Sequence, residues 1–223
     1  MNQEQALSLL KETKLVAILR GIPVKQATDI ATALYDGGVR VLEFTFDHDD
    51  PDCVAHNCQR IRAVKKIFGD EMVVGCGTAL TVQEVEASVE AGGQIVISPN
   101  VDVSVIAKTK ALGAISMPGA LTPTEIVMAY NAGADIVKLF PAGTLGVPYI
   151  KAVRGPLGYI PMSAVGGVRP ETIADFLNVG VCGFGVGGEL VKKEFVRSGD
   201  MNALTGRARK FVHAIEQWEA NRS

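Results

Sequence analysis

One pattern recurs along the chain and limits its fold more than any other feature. A small residue and glycine are followed at once by a short apolar run in DGGVRVLEF, EAGGQIVIS, ALGAISMPG, NAGADIVKL and NVGVCGFGV. Glycine commonly ends a helix, so each copy predicts a helix, a stop and a buried strand. The runs are continuously apolar, which is typical of parallel strands covered on both faces. The pattern therefore predicts alternating βα units.

Eight strands are predicted in this way. They begin at Leu15, Val39, Met72, Gln94, Ala114, Ile136, Ile160 and Gly183. Helix starts between them are predicted at Asp50 before Pro51, at the capping box of Thr81 and Glu84, and at Thr122 with Pro123 and Glu125. A chain of 223 residues, 48% of them hydrophobic, suits one large core. We therefore predict a single α/β domain over residues 1–223, a TIM-type (β/α)8 barrel with an extra N-terminal helix, in preference to an open doubly wound sheet.

Composition argues against several classes of partner. The 22 Lys and Arg residues against 24 Asp and Glu leave a net charge of -2, with no basic run to follow a nucleic-acid backbone. No stretch is long and apolar enough to cross a membrane, and the polar N-terminus does not resemble a secretory signal. The four cysteines match no zinc spacing. We expect reduced thiols in a cytoplasmic protein, with no nucleic-acid or membrane partner.

Two charged residues interrupt apolar strands. Lys138 lies in IVKLFP and Glu43 in VLEFT, where a charge is costly unless it is paired or neutralised. Burial lowers the pKa of a lysine and yields the neutral amine that attacks a carbonyl. A lysine nucleophile and a carboxylate proton shuttle at strand ends are what imine chemistry needs. A purely structural buried ion pair is the alternative.

Glycine pairs follow the last two predicted strands. Gly166 and Gly167 follow one strand, and Gly187 and Gly188 follow the next. Glycine lets backbone N–H groups approach an anion, and barrels often bind phosphate at these two strand ends. The pairs together predict a phosphate site, although either pair alone also suits a tight turn.

The chain resembles the 2-keto-3-deoxy-6-phosphogluconate and 4-hydroxy-2-oxoglutarate aldolases, together with the 2-keto-3-deoxy-6-phosphogalactonate aldolases. The resemblance runs through essentially the whole sequence. It is carried by AILRG (17–21), GGVRVLEFT (37–45), VGCGT (74–78), ISPN (97–100), PGA (118–120), KLFPA (138–142) and AVGGV (164–168). The resemblance implies a class I aldolase that releases pyruvate through a covalent imine, without a metal or organic cofactor, and that assembles as a homotrimer.

The resemblance also assigns roles to residues. Lys138 is implied as the Schiff-base lysine and Glu43 as the acid/base residue. Thr78 contributes to the pyruvate end, and Phe140 and Pro141 line the pocket. Pro99 and Val165 are also expected in the substrate site, and the phosphate is expected on Gly166, Gly167, Gly187 and Gly188.

The sequence departs from the family pattern at three positions. Asp47 stands where many phosphogluconate-type members carry an arginine, so we expect Arg20, at the end of the first strand, to bind the substrate carboxylate, as the galactonate-type members suggest. Val165 replaces a threonine common in the phosphogluconate type. Glu189 places a carboxylate beside the expected phosphate, which it repels unless it points away.

Other readings of the sequence stay open. The stretch FDHDDPD, with His56 soon after, offers possible metal ligands in Asp47, His48, Asp49, Asp50 and Asp52. Asp50 before Pro51 is better explained as a helix start, and no metal is expected. A phosphosugar epimerase or isomerase could place phosphate at the same strand ends, because fold alone does not fix function. A non-catalytic barrel that binds a sugar acid is the third alternative.

Overall fold

All strands of the computed structural model, which describes residues 1–222, belong to one parallel sheet. The strands are β1 (Leu15–Leu19), β2 (Val41–Thr45), β3 (Val73–Gly77), β4 (Ile95–Ile97), β5 (Ile115–Met117), β6 (Gly119–Ala120), β7 (Val137–Leu139), β8 (Met162–Val165) and β9 (Gly183–Val186). Their order across the sheet is β5-β4-β3-β2-β1-β9-β8-β7-β6.

Helices alternate with these strands, as predicted. They are α1 (Gln3–Thr13), α2 (Ala27–Asp36), α3 (Cys53–Phe68), α4 (Val82–Glu90), α5 (Val103–Ala111), α6 (Pro123–Asn131), α7 (Ala142–Leu157), α8 (Ile173–Asn178), α9 (Lys193–Ser198) and α10 (Met201–Ala220). Short 3₁₀ turns precede α2 at Val24–Gln26 and α8 at Pro170–Thr172. Helix α7 is interrupted at Gly146, whose φ is 74° and ψ 167°.

The predicted fifth strand is divided in two. Pro118 has no N–H to donate to a neighbouring strand, so regular pairing stops there. The strand β5 on one side pairs with β4, and β6 on the other pairs with β7. Because β5 and β6 are the two ends of the strand order and adjoin along the chain, the sheet curves into a nearly closed barrel. The predicted TIM-type architecture is confirmed, with nine strands in place of eight.

The recurrent glycines have the conformation that the pattern predicts. Each lies two residues after the last residue of a helix and has a positive φ, the left-handed region that glycine adopts without steric cost. The five φ values are 93° at Gly38, 99° at Gly92, 72° at Gly113, 101° at Gly133 and 87° at Gly180.

The predicted helix caps agree with the structure in two of three places. Thr81 with Glu84 and Thr122 with Glu125 form reciprocal capping boxes at α4 and α6. The predicted cap at Asp50 is wrong. Helix α3 begins at Cys53, and Asp50 lies in the preceding turn, where its carboxylate accepts a hydrogen bond from the backbone N–H of Asp52.

The N-terminal helix closes one end of the barrel. Ala6 and Leu10 of α1 belong to the same buried cluster as the inward-facing residues of the strands, which include Val16, Val41 and Ile95. A second, larger buried cluster fills the layer between the sheet and the outer helices. Functional side chains can therefore lie only at the opposite end, where the strands finish. Within residues 1–222, none of the helices combines the length and apolar character required to cross a membrane.

Candidate active site

A cavity of about 480 Å³ opens at the carboxyl ends of the strands. The structure brings every sequence-predicted site residue except Pro141, which was expected beside Phe140, to its walls. These residues are Arg20, Glu43, Thr78, Pro99, Lys138, Phe140, Val165, Gly166, Gly167, Gly187 and Gly188. They lie on, or shortly after, seven different strands, so the closed sheet is what makes them neighbours.

Glu43 is buried inside the barrel by the alternation of β2. Leu42 and Phe44 point outward into the helical layer, which leaves the Glu43 side chain on the inner face. Room for it is provided by Gly77 on β3, where an added Cβ would lie 1.8 Å from Glu43 Oε2. That oxygen has no hydrogen-bond partner among residues 1–222. Burial raises the pKa of Glu43 from 4.5 to about 7, although Lys138 and Arg20 lower it.

Lys138 occupies the inner face of β7. Its neighbours Val137 and Leu139 pack in the outer layer, and its own side chain is only 7% exposed. Burial is the main cause that lowers the pKa of Lys138, and the positive charge of Arg20 lowers it further, while Glu43 acts in the opposite direction. The ammonium nitrogen lies 5.0 Å from the centre of the Phe140 ring at the mouth. The arrangement favours a neutral, nucleophilic amine.

Arg20 is another cation on the cavity wall. It follows β1, is exposed, and is close enough to Glu43 and Lys138 to influence the pKa of both. A guanidinium in this position can bind a planar carboxylate through two hydrogen bonds. Asp47, the first of the three departures noted in the sequence, is exposed and does not line the cavity.

Thr78 has a backbone conformation that is rare for its residue type. Its φ is 58°, in the left-handed region, which a β-branched residue adopts only when the surroundings impose it. The next turn is held by the buried carboxylate of Glu84, which accepts hydrogen bonds from the backbone N–H groups of Leu80 and Thr81 at 2.7 and 3.0 Å. His48 Nε2 lies 2.7 Å from the other oxygen of Glu84.

The glycines form the outer rim of the cavity, beyond Val165. Gly166 and Gly167 have φ values of 90° and 72°, which only glycine adopts without strain. The first turn of α7 packs against them, since the N–H of Gly143 donates to the carbonyl of Gly166 at 2.8 Å. Gly187 and Gly188 lie on the same rim, together with Glu189.

Several lining residues were not predicted from the sequence. Ile18 and Thr45 lie two residues from Arg20 and Glu43 on the same strands, so the period-two alternation of a strand could have found them. Lys193 belongs to no strand and offered no such signal. The remaining unpredicted residues are Val168, Gly185, Val186 and Val191.

The acidic stretch after β2 does not form a metal site in the described chain. Within residues 1–222, no group of three or more His, Cys, Asp or Glu side chains is arranged to hold a metal ion. His56 Nδ1 lies 2.7 Å from Asp50 Oδ2, and His48 contacts Glu84, so both histidines of this region have carboxylate partners.

Comparisons with known proteins agree with the barrel and its cavity. Residues 7–206 match the family model described as KDPG and KHG aldolase, where the abbreviations stand for 2-keto-3-deoxy-6-phosphogluconate and 4-hydroxy-2-oxoglutarate. The chain is 37% identical over 182 residues to the probable 2-dehydro-3-deoxy-6-phosphogalactonate aldolase of Rhizobium meliloti (strain 1021), covering 81% of this chain and 83% of that protein.

Two further relatives point the same way. The KHG/KDPG aldolase of Escherichia coli (strain K12) is 32% identical over 216 residues, which cover 95% of this chain and 96% of that protein. The solved structure described as native KDPGal superposes with a TM-score of 0.83 at 32% identity, covering 92% of this chain and 96% of that one. With a family model that spans most of the sequence and relatives matched along nearly their whole length, the chain belongs to the KDPG and KHG aldolase family.

Proposed function

We propose that the protein is a class I aldolase that cleaves a 2-keto-3-deoxy-6-phospho sugar acid, of the gluconate or galactonate type, into pyruvate and glyceraldehyde 3-phosphate. Cleavage of 4-hydroxy-2-oxoglutarate into pyruvate and glyoxylate is the same reaction on a shorter substrate. The single observation that carries the proposal is the buried amine of Lys138, with a lowered pKa, in the same cavity as the buried carboxyl of Glu43.

The chemistry follows from these two groups. The neutral Lys138 amine adds to the C2 ketone, and the carbinolamine loses water to form an iminium. Removal of the proton from the C4 hydroxyl lets the C3–C4 bond break, and its electron pair moves into the iminium to give an enamine. The aldehyde leaves, the enamine is protonated at C3, and water hydrolyses the imine to release pyruvate and the free lysine.

Glu43 is the proton shuttle in this scheme. A carboxyl with a pKa of about 7 is close to equally populated in its acid and base forms near neutral pH, so it can both donate and accept a proton during one turnover. Its unpartnered Oε2 faces no competing donor within residues 1–222. Lys138 carries the substrate covalently, and the reaction requires no metal or organic cofactor.

The rest of the cavity binds the two ends of the substrate. Arg20 binds the carboxylate next to the ketone, and Thr78 contributes to the same end. Pro99, Phe140 and Val165 also line the cavity. The phosphate lies against the rim of Gly166, Gly167, Gly187 and Gly188, whose backbone N–H groups can approach it because no side chains intervene.

The protein is further proposed to act as a cytoplasmic homotrimer without a nucleic-acid or membrane partner. Support for the location is that Cys53, Cys58, Cys76 and Cys182 are all free thiols. Support for assembly is a group of exposed apolar residues around α6, which includes Met128 at 48% and Tyr159 at 64% exposure. The Tyr159 ring packs edge-on against Tyr130, with 5.7 Å between ring centres.

Reductive trapping tests the proposed function. Incubation with pyruvate and borohydride should inactivate the enzyme and add one reduced pyruvyl group, which peptide mass spectrometry should locate on Lys138. Lys138→Arg is the control, because a guanidinium forms no imine, and it should remain unlabelled. Labelling at another lysine, or no labelling at all, would reject the Schiff-base assignment and favour an isomerase or a binding protein. Activity that disappears on chelation and returns with a divalent ion would reject the metal-free scheme.

A further inference from the structure

The rim of the cavity places a carboxylate close to the proposed phosphate site. A phosphate monoester brings a charge of about -1.5 to -2 at neutral pH. The four rim glycines, Gly166, Gly167, Gly187 and Gly188, offer backbone N–H groups but no cation, and Val165 and Val168 beside them are apolar. Glu189 adds a carboxylate to the same wall. Phosphate binding at the rim therefore requires that the Glu189 carboxylate is neutralised by a partner and that a cation binds the phosphate.

Arg207 of α10 forms a salt bridge with the Glu189 carboxylate. Its Nη2 lies 3.4 Å from Glu189 Oε2, and its Nε donates a 2.8 Å hydrogen bond to the backbone carbonyl of Glu189. The guanidinium also lies 5.1 Å from the centre of the Phe211 ring, in the buried side of α10. The first contact pairs the guanidinium with the Glu189 carboxylate and offsets its charge, and the second anchors the guanidinium to the Glu189 backbone.

Lys193 provides the cation. It is the first residue of α9, is exposed, and lines the cavity together with Gly187, Gly188 and Glu189. Lys193 forms none of the salt bridges found among residues 1–222. The preceding Lys192 is engaged elsewhere, since its Nζ lies 3.6 Å from Glu194 Oε1 and 5.9 Å from the centre of the Phe195 ring. Only the second of the two adjacent lysines reaches the cavity wall.

We propose that Lys193 determines the preference for phosphorylated substrates by binding the distal phosphate, and that Arg207 is a positioning residue that holds Glu189 away from it. This inference rests on the proposed aldolase function and extends it to the end of the substrate that does not react. The pyruvate end, at Lys138, Glu43 and Arg20, is common to all candidate substrates and is not affected by Lys193.

The test compares a phosphorylated and an unphosphorylated 2-keto-3-deoxy sugar acid that are otherwise identical. Lys193→Met should lower kcat/KM for the phosphorylated acid by about 10-fold, the usual consequence of losing one hydrogen bond to a charged group, mainly through KM. The value for the unphosphorylated acid should stay within about twofold, as expected for a surface change away from the reacting atoms. Lys192→Met is the matched control and should change neither substrate. Inhibition by inorganic phosphate should weaken in Lys193→Met alone.

The outcomes separate this inference from the function on which it rests. If pyruvate and borohydride label wild type and Lys193→Met alike, the imine site is intact in both. Equal losses on the two substrates, or an equal loss in Lys192→Met, would then overturn the role of Lys193 without touching the aldolase assignment. Absence of labelling in the wild type overturns the proposed function itself.

A second pair of variants tests Arg207. Arg207→Met frees the Glu189 carboxylate and should raise KM for the phosphorylated acid while leaving KM for the unphosphorylated acid unchanged. Adding Glu189→Gln to Arg207→Met should restore KM, because the repelling charge is gone. A purely structural role for Arg207 predicts instead that both substrates are affected and that Glu189→Gln restores nothing, which would overturn the positioning role.

Discussion

At the scale of single residues, the site depends on the small size of Gly77 as much as on the carboxylate of Glu43. Glu43 could be predicted from the sequence because a carboxylate inside an apolar strand demands an explanation. Gly77 could not, because its role depends on the neighbouring strand, where Glu43 Oε2 occupies the space that a Cβ would fill. The strand register places Glu43 opposite Gly75, so Gly77 lies one inward-facing position further along β3. Sequence therefore predicts the chemical group but not the cavity that accommodates it.

The charge state of Glu43 leads to a prediction about both rate and stability. Glu43→Gln should lower kcat by about 10²- to 10⁴-fold, the usual loss for a general acid/base, and remove the inflection expected near pH 7 from the wild-type pH profile. The same variant should be more stable than wild type at high pH, although it is less active. The raised pKa means that the native state holds a proton that the unfolded chain has lost, so wild-type stability falls as pH rises from 4.5 through about 7.

Chemical denaturation at several pH values checks this. Above pH 7 the Glu43 carboxylate is charged despite its burial, and its Oε2 has no hydrogen-bond partner within residues 1–222, so Glu43→Gln should unfold at higher denaturant concentration than wild type. Well below pH 4.5 the two proteins should be similar, because Glu43 is then protonated in both states. A variant that is less stable at every pH but turns over normally per folded molecule would show that Glu43 is a structural partner of Lys138 and not a catalyst.

At the scale of elements, two equivalent helix caps have different positions relative to the site. Glu84 of α4 and Glu125 of α6 each accept hydrogen bonds from two backbone N–H groups at the start of their helix. Both caps were predicted from the sequence, since the spacing of a capping box is local. What the sequence did not show is that Glu84 also contacts His48, or that the backbone it holds, at Leu80 and Thr81, begins two residues after the strained Thr78.

Replacement of these two glutamates by alanine should therefore have different effects on activity. Glu84→Ala and Glu125→Ala should each cost about 0.5 to 2 kcal/mol in unfolding free energy, the usual range for a lost cap. Only Glu84→Ala should also lower kcat/KM, by about 10- to 100-fold, because Thr78 at the cavity wall loses its support. Glu84→Gln, which keeps an acceptor oxygen, should recover most of that activity. Equal kinetic effects of the two alanine variants would contradict a positioning role for Glu84.

Elements also show where local patterns stop being sufficient. The five recurrent glycines fixed the ends of helices correctly, because a left-handed residue after a helix is a local requirement. The helix start predicted at Asp50 was wrong because a short polar residue before proline suits a turn as well as a helix start. In the structure the Asp50 carboxylate contacts the backbone N–H of Asp52 and the ring of His56. The division of the fifth strand at Pro118 was likewise unpredicted, since it depends on pairing with β4 on one side and β7 on the other.

At the scale of the whole molecule, the proposed trimer should be disrupted by charge on the apolar surface around α6. Light scattering should give a mass three times the 23.6 kDa of the chain. Met128→Asp places a carboxylate on this exposed apolar surface and should give a monomer with an intact fold by circular dichroism. Ile67→Asp is the control, because Ile67 is 57% exposed but lies on α3. A wild-type monomer, or an equal effect of both variants, would contradict the assignment of this surface.

Within residues 1–222, α1 closes one end of the barrel and the cavity opens at the other, which has a consequence for the order of events in turnover. Ala6 and Leu10 fill the far end, so solvent, substrate and both products must use the same opening. The pyruvyl fragment stays bonded at the deepest point, whereas the aldehyde lies towards the outside. Product release is therefore ordered, with the aldehyde leaving first and pyruvate last. In the synthetic direction the order is reversed, and pyruvate must bind to the free enzyme before the aldehyde does.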